Sequence, residues 1–282
     1  MPKINFTKME GIGNDYIYVN LFEETLSKPE KLAKEMSHRR YGIGSDGLIL
    51  IAPSLIADVK MIMYNSDGSE AEMCGNGIRC VGKFVRDRGL VKKDHITIET
   101  GAGIKTLDLN MNSFDKVTSV NVQMGEPELN AQRIPSTLSG DQIVNYPFEF
   151  DEFRLNGTLV SMGNPHLVTF VEDVEKTPVT EWGPIIERSA LFPNRINIEF
   201  VQVVSRDEVI QRTWERGAGE TWACGTGAAA VCVAGVLTGN TNSKITNHLT
   251  GGDLILDWKG TGHQVTMEGP AKEVFTGVWN TA

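Results

Sequence analysis

The stretch from Cys74 to Gly89 reads CGNGIRCVGKFVRDRG, and 150 residues further on the stretch from Cys224 to Gly239 reads CGTGAAAVCVAGVLTG. Each opens with a Cys-Gly-x-Gly quartet, continues as a run of helical character and stops at a glycine, the residue that best accommodates the left-handed end of a helix. The same shift lays Gly13-Asn14 on Gly163-Asn164, Glu70 on Glu220 and Thr100-Gly101 on Thr250-Gly251. The matches are few, but they fall at a loop, at the cysteine turn and at the helix ends, where geometry or chemistry restricts the choice of residue. The chain therefore reads as a duplication: two halves, each built around a helix that begins at a cysteine.

Working outward from the first quartet, β-branched and aromatic content predicts strands near 3–7, 16–21, 48–51 and 59–64, with a helix over 28–40. The polar loop 65–73 delivers Cys74 to its helix, and strands near 96–99, 104–110 and 119–124 close the first half. Residues 125–141, carrying Pro127 and Pro135, read as the connection. The second half repeats the order, with strands at 155–162 and 166–170 flanking Gly163-Asn164-Pro165. A helix at 181–189 follows, then strands at 197–202 and 209–214, and residues 215–223 lead into Cys224. A strand near 273–278 has no counterpart after residue 124 and is expected to return to the first half. The expected domains are thus 1–123 plus 269–282, carrying Cys74, and 124–268, carrying Cys224. Residues 228–237 are apolar all round, as in a helix enclosed by sheet, whereas 78–88 are amphipathic.

With 282 residues, 40% hydrophobic, the chain is long enough for two domains with good cores. A net charge of -9, and no basic run longer than Lys92-Lys93, argue against a nucleic-acid partner. The longest apolar stretch, 228–237, is far short of a bilayer core, so no membrane partner is expected. No export signal is visible at the N-terminus, and four cysteines in such a chain point to free thiols in the cytoplasm. Without Cys-x-x-Cys or His-x-x-x-His, and with five scattered histidines, no metal site is expected.

Both motif cysteines fall at the positive end of a helix dipole, beside backbone N–H groups that lack intrahelical partners, which favours the thiolate. Glycines at 75, 77, 225 and 227 clear the first turn so that an anion can approach those N–H groups. A thiolate and a thiol on opposite sides of one carbon can remove a proton from one face and supply another to the opposite face, inverting the stereocentre. Without a cofactor, the carbanion beside a carboxylate must be stabilised by the site itself. Two helix N-termini converging on that carboxylate would do so without reorganising.

The run Asn65-Ser66-Asp67-Gly68-Ser69-Glu70-Ala71-Glu72-Met73-Cys74-Gly75-Asn76-Gly77-Ile78-Arg79 resembles the signature of the diaminopimelate epimerase family. The resemblance extends through Phe6-Thr7-Lys8-Met9-Glu10-Gly11-Ile12-Gly13-Asn14-Asp15, Gly163-Asn164-Pro165-His166, Glu215-Arg216-Gly217 and Ala223-Cys224-Gly225-Thr226-Gly227, and so covers nearly the whole chain. The related proline racemases typically carry a histidine where this chain has Asn76. The resemblance implies an α+β fold of two pseudo-symmetric domains, each a curved mixed sheet or barrel around a central helix, with the active site in the cleft between them. It implies cofactor-independent interconversion of LL- and meso-diaminopimelate, in lysine and peptidoglycan precursor biosynthesis.

In the residues of this chain, Cys74 and Cys224 would then be the acid/base pair. Cys224 would accept and Cys74 donate in one direction, with roles exchanged in reverse, and His166 and Glu215 would assist. Backbone N–H groups of Gly75, Asn76, Gly225 and Thr226 would hold the reacting carboxylate. Asn14, Asn65, Asn164, Asn197, Glu215 and Arg216 would bind the substrate's amino and carboxylate groups. No cofactor and no metal are implied. A homodimer is compatible with the resemblance, although the sequence does not fix oligomeric state. One departure stands out: many members carry a glutamine after the Gly-x-Gly-x-Asp segment, where this chain has Gly47.

Blander readings exist for several of these residues. Cys80 and Cys232, inside the helices, read as buried small hydrophobes. The four asparagines could be turn formers and His166 a turn residue. A thiol-disulfide redox protein and a non-catalytic amino-acid-binding protein are the competing functional classes. The absence of Cys-x-x-Cys weighs against the former, and only an exchange measurement separates the latter.

Overall fold

The computed structural model describes residues 3–280, which form two compact units. One comprises the chain up to Val122 together with the segment from Gly269 onward, and the other comprises Gln123–Glu268.

In the first unit, β1 (Lys3–Gly11) and β2 (Asn14–Asn20) form a hairpin. Its two-residue turn, Ile12-Gly13, takes positive φ at both positions, 50° and 83°, as the tight turn of a twisted hairpin requires. The chain then crosses through α1 (Pro29–Ser37) to β3 (Gly47–Ala52), which runs parallel to β2 with Tyr16 opposite Gly47. β4 (Val59–Asn65) returns antiparallel, placing Asn65 opposite Gly47, and the short β5 (Glu70–Ala71) folds back on it. α2 (Gly75–Asp87) makes the second crossover, to β6 (His95–Thr100), parallel to β4. β7 (Gly103–Met111) and β8 (Val117–Gly125) continue antiparallel.

Both faces of this sheet are covered. Ile17, Val19, Leu48 and Leu50 bury against Leu32, Ala33 and Met36 of α1. On the other face, the Tyr18 hydroxyl donates to the Gly77 carbonyl at 3.1 Å, and Ile49 lies under the start of α2. Strands buried on both sides read as continuous apolar runs, which is why Leu48 to Ala52 shows no alternation.

The second unit repeats this plan. β9 (Tyr146–Glu149), β10 (Arg154–Ser161) and β11 (Pro165–Val171) are antiparallel neighbours. α3 (Val179–Glu187) leads to β12 (Asn197–Ser205), parallel to β11 with His166 opposite Asn197. β13 (Glu208–Glu215) and β14 (Gly219–Thr221) follow, then α4 (Gly225–Thr238) and the meander of β15 (Lys244–Leu249), β16 (Gly252–Asp257) and β17 (Val265–Pro270). The pairings Tyr16 with Gly47 and Leu48 with Tyr64 recur, shifted by 150 residues, as His166 with Asn197 and Ile198 with Trp214. Finally β18 (Lys272–Asn280) pairs antiparallel with β1, returning to the first half as expected, but it does have a counterpart after residue 124: β9, the first strand of the second unit, which pairs antiparallel with β10.

Several expectations need correction. In the β6–β7 hairpin Thr100 pairs with Gly103, and in β15–β16 Leu249 pairs with Gly252. The structural counterpart of Thr100 is therefore Leu249, not Thr250, so one residue is lost from the second copy after its helix. The helix expected over 28–40 spans only Pro29–Ser37, because Lys28 is left-handed (φ 54°) ahead of a proline suited to the first turn, and His38 is extended. The helix expected at 181–189 begins earlier, at Val179. α2 is less amphipathic than its sequence: its first half is wholly buried, including Arg79, and only Lys83, Arg86 and Asp87 approach solvent. α4, apolar all round, is enclosed as expected, packing on β10, β11, β12 and β16.

Candidate active site

In the first unit, the register gathers Asn14, Tyr16, Gly47 and Asn65 at the ends of β2, β3 and β4, and α2 begins just beyond β5. Cys74 caps that helix in an extended conformation (φ −135°), and its sulfur accepts the Gly77 N–H at 3.4 Å. The thiol donates to Asn14 Oδ1 at 3.2 Å, while Asn14 Nδ2 donates to Asp46 Oδ2 at 2.6 Å. Asp46 is in turn paired with Arg39 at 2.8 Å, so the asparagine is held by an ion pair behind it. Burial pushes the Cys74 thiol up, against N–H groups of Gly77 and Asn76, the Tyr16 hydroxyl and the Arg79 guanidinium, all of which favour the thiolate.

The second unit places Asn164, His166, Asn197 and Glu215 at the equivalent strand ends. Cys224 caps α4, with Thr226 Oγ1 3.5 Å from its sulfur. Its thiol is pushed well above the ordinary value, first by burial and then by the carboxylates Glu215 and Glu199, while Thr226 and the Gly227 N–H oppose the shift. Glu215 accepts a short hydrogen bond from the Thr221 hydroxyl; burial is the largest influence on it and raises its carboxyl. The first intrahelical bonds are Ile78 N–H to Cys74 O and Ala228 N–H to Cys224 O, both 2.9 Å. The N–H groups of Gly75, Asn76, Gly225 and Thr226 precede those bonds, as an anion site at a helix start requires.

Not every expected contact residue is equally free to meet a ligand. Asn197 is buried and spans two backbone groups, donating to Pro165 O at 2.8 Å and accepting from Arg216 N–H at 2.9 Å, so it shapes the loops around it. Asn65 donates to Ser69 Oγ at 3.0 Å within its own turn, and the Asn76 side chain accepts from Arg79 at 3.0 Å. Arg216 is exposed, tethered through Nη1 to Asn194 O at 3.1 Å. Cys80 and Cys232 are fully buried inside their helices.

The space at Gly47 is closed. A Cβ there would sit 2.1 Å from the Tyr64 carbonyl oxygen and 3.0 Å from the Tyr16 ring, so this backbone cannot carry a glutamine without moving. Tyr16 occupies that side instead, with its hydroxyl turned toward the Cys74 thiol and the Asn14 amide.

Two residues in this region were not among the candidates. Glu187, buried on α3, accepts from Trp214 Nε1 at 2.8 Å and from Gly217 N–H at 3.0 Å, anchoring the turn that carries Glu215 and Arg216. Glu199, fully buried in β12, lies 2.8 Å from His166 Nδ1. A signal for Glu199 was present: a lone acid inside the apolar strand run Ile198-Glu199-Phe200-Val201, two residues from Asn197 and so on the same face.

The family model described as diaminopimelate epimerase matches residues 6–130 and 158–274. The chain is 54% identical over 274 residues to the diaminopimelate epimerase of Acetivibrio thermocellus, covering 97% of this chain and 98% of that protein. It is 51% identical to that of Leptospira biflexa, covering 98% of each. In solved structures the fold is similar to a phenazine biosynthesis protein of the PhzF family from Bacillus anthracis, with a TM-score of 0.71 at 17% identity over the whole of both chains. It is also similar to a hydroxyproline epimerase from Agrobacterium vitis, with a TM-score of 0.69 at 13% identity over 98% of this chain and 92% of that one. By its sequence, the chain belongs to the diaminopimelate epimerase family.

Proposed function

We propose that the chain interconverts LL- and meso-2,6-diaminopimelate without a cofactor, using Cys74 and Cys224 as acid and base on one α-carbon. The observation that carries this reading is the pair of cysteines, each the N-cap of a glycine-entered helix, in two units of the same register. In one direction the Cys224 thiolate takes the α-proton: the C–H bond breaks, an S–H bond forms, and the electron pair stays on carbon beside the carboxylate. The Cys74 S–H bond then breaks and a C–H bond forms on the opposite face, leaving the inverted centre and a Cys74 thiolate. The reverse reaction exchanges the two roles.

N–H groups of Gly75, Asn76, Gly225 and Thr226 stabilise the charge that develops on the carboxylate oxygens. Glu215, beside the Cys224 thiol, takes part in returning that sulfur to its starting state. Asn14, Asn65, Asn164, Asn197, Glu215 and Arg216 hold the amino and carboxylate groups of the substrate, and Asn197 also holds the loop that carries Arg216. The reaction serves lysine and peptidoglycan precursor biosynthesis in the cytoplasm. Among the described residues no helix is long and apolar enough to cross a membrane. The test is α-proton exchange in deuterated water with diaminopimelate stereoisomers, proline and other amino acids. Deuterium is expected at the α-carbon of LL- and meso-diaminopimelate alone, and labelling of proline in its place would refute the substrate assignment.

A further inference from the structure

The second unit carries a polar cluster inside its core, beneath the start of α4. Glu199 is fully buried, and its side-chain oxygens accept each of their hydrogen bonds: from His166 Nδ1 at 2.8 Å, Gln211 Nε2 at 2.6 Å and Thr213 Oγ1 at 2.6 Å. Gln211 Nε2 also donates to Thr213 Oγ1 at 2.8 Å, and Asn247 Nδ2 donates to Gln211 Oε1 at 2.5 Å. The donors thus run in one direction, toward the carboxylate, the pattern that suits a buried anion. Gly227 makes room for it, since a Cβ there would lie 2.4 Å from Glu199 Oε1.

The first unit shows that the fold does not need this cluster. At the positions 150 residues earlier stand Ile49, Met61 and Met63, and Ile98 pairs with Val59 as Asn247 pairs with Val209. All four are buried, and Ile49 lies under Gly77 as Glu199 lies under Gly227. The same architecture therefore closes over an apolar set. Buried ionic groups rarely stabilise more than such a set, so the polar one must be accounted for by something other than folding.

Toward the candidate site the cluster reaches His166. That ring, also fully buried, places Nδ1 on Glu199 and Nε2 3.1 Å from Asn164 Oδ1. We propose that Glu199 is a positioning residue: it fixes the His166 ring with Nδ1–H toward itself, which leaves Nε2 as an acceptor, so that the Asn164 amide 3.1 Å away turns its N–H to that nitrogen and is thereby oriented to receive substrate beside Cys224. The dyad gives the Cys224 half a defined donor and acceptor pattern that the Cys74 half, with Tyr16 in place of histidine, obtains otherwise. The substrate-facing part of this inference rests on the proposed epimerase function, and the dyad itself does not.

The test uses the full chain carrying Glu199→Gln, which keeps the volume and removes the charge. Two readouts are taken: the low-field Nδ1–H proton resonance of His166, assigned by its loss in His166→Gln, and steady-state kinetics with diaminopimelate. The expected result is a resonance present in the wild type and shifted upfield or lost in Glu199→Gln, with kcat/KM lowered roughly 10- to 100-fold in a folded protein. In an Asn164→Ala background the same substitution is expected to add less than about threefold. Should Glu199→Gln fail to fold, Thr213→Val, which removes a single donor, decides with the same readouts and a smaller drop. Kinetics within twofold of wild type in a folded Glu199→Gln, or no low-field resonance in the wild type, overturns the proposal. If no diaminopimelate isomer is turned over at all, the function is refuted while the resonance still decides the dyad.

Discussion

Gly77 and Gly227 hold the same place in two copies of one helix start, and their replacement by alanine should have different consequences. At Gly77 an added Cβ would meet Ile49 Cδ1 at 2.7 Å, the far end of a flexible side chain that can turn aside. At Gly227 it would meet Glu199 Oε1, Cδ and Oε2 at 2.4, 2.6 and 2.8 Å, and this carboxylate is pinned by His166, Gln211 and Thr213. Overpacking costs about 1–3 kcal/mol, and loss of one charged hydrogen bond roughly 1.5–3 kcal/mol, against a gain of up to about 1 kcal/mol from exchanging glycine for alanine in a helix. Gly77→Ala should therefore lie within about 1 kcal/mol of wild type, and Gly227→Ala should lose about 3 kcal/mol. At roughly 2–4 °C per kcal/mol, the two melting temperatures should differ by about 5–10 °C. Thermal and urea unfolding followed by circular dichroism measure the difference. The decisive arm is the double variant: with Glu199→Ala in place, Gly227→Ala should cost nothing further. Equal melting of the two glycine variants, or an undiminished cost in the Glu199→Ala background, would refute the reasoning.

Limited alkylation with iodoacetamide, followed by peptide mapping, should label Cys74 before Cys224. The former is half-buried and its thiol less strongly raised, whereas Cys224 is buried and raised by burial, Glu215 and Glu199. Burial pushes Cys80 up to about 11 and Cys232 up to about 12, so neither should react in the native protein; earlier labelling of Cys224 would contradict the assignment. Gly47→Ala, which drives a Cβ to 2.1 Å from the Tyr64 carbonyl oxygen, should lower stability by the upper end of roughly 1–3 kcal/mol in urea unfolding. Burial raises the Glu215 carboxyl above its unfolded value of 4.5, so the folded state binds the proton more tightly there. Its contribution to stability is then present below that pH and lost as pH rises through the raised value. Melting temperature against pH should accordingly fall less steeply in this acidic window for Glu215→Gln than for wild type, and parallel curves would exclude the shift.

The repeat, the two cysteine caps and most strands were legible because they rest on local rules. Gly89 and Gly239 both take φ 71°, and Gly13 and Gly163 are also left-handed, so their identity records backbone geometry directly. The two-residue β5 and three-residue β14 were not legible, since strands so short carry no periodicity. The return of the C-terminal strand to the first half was expected because it has no counterpart in the 150-residue shift, but that it pairs antiparallel with β1 joins residues from opposite ends of the chain, and no local pattern encodes that register. That the Asn197 amide also bridges Pro165 O and the Arg216 N–H was not legible, because only the packed loops bring those two backbone groups together. The burial of Arg79 within α2 was not legible either: it is fully buried, donating to Pro270 O at 3.1 Å from a segment almost two hundred residues away.

In the proposed reaction two thiols divide one epimerisation between them. The most direct measurement is α-proton exchange and epimerisation of LL- and meso-diaminopimelate in deuterated water by Cys74→Ala and Cys224→Ala, each shown to be folded by its melting curve. The account predicts that both variants lose epimerisation by at least about 10²-fold, since each removes a group that must exchange a proton in the reaction. Wild-type epimerisation in either variant would contradict it.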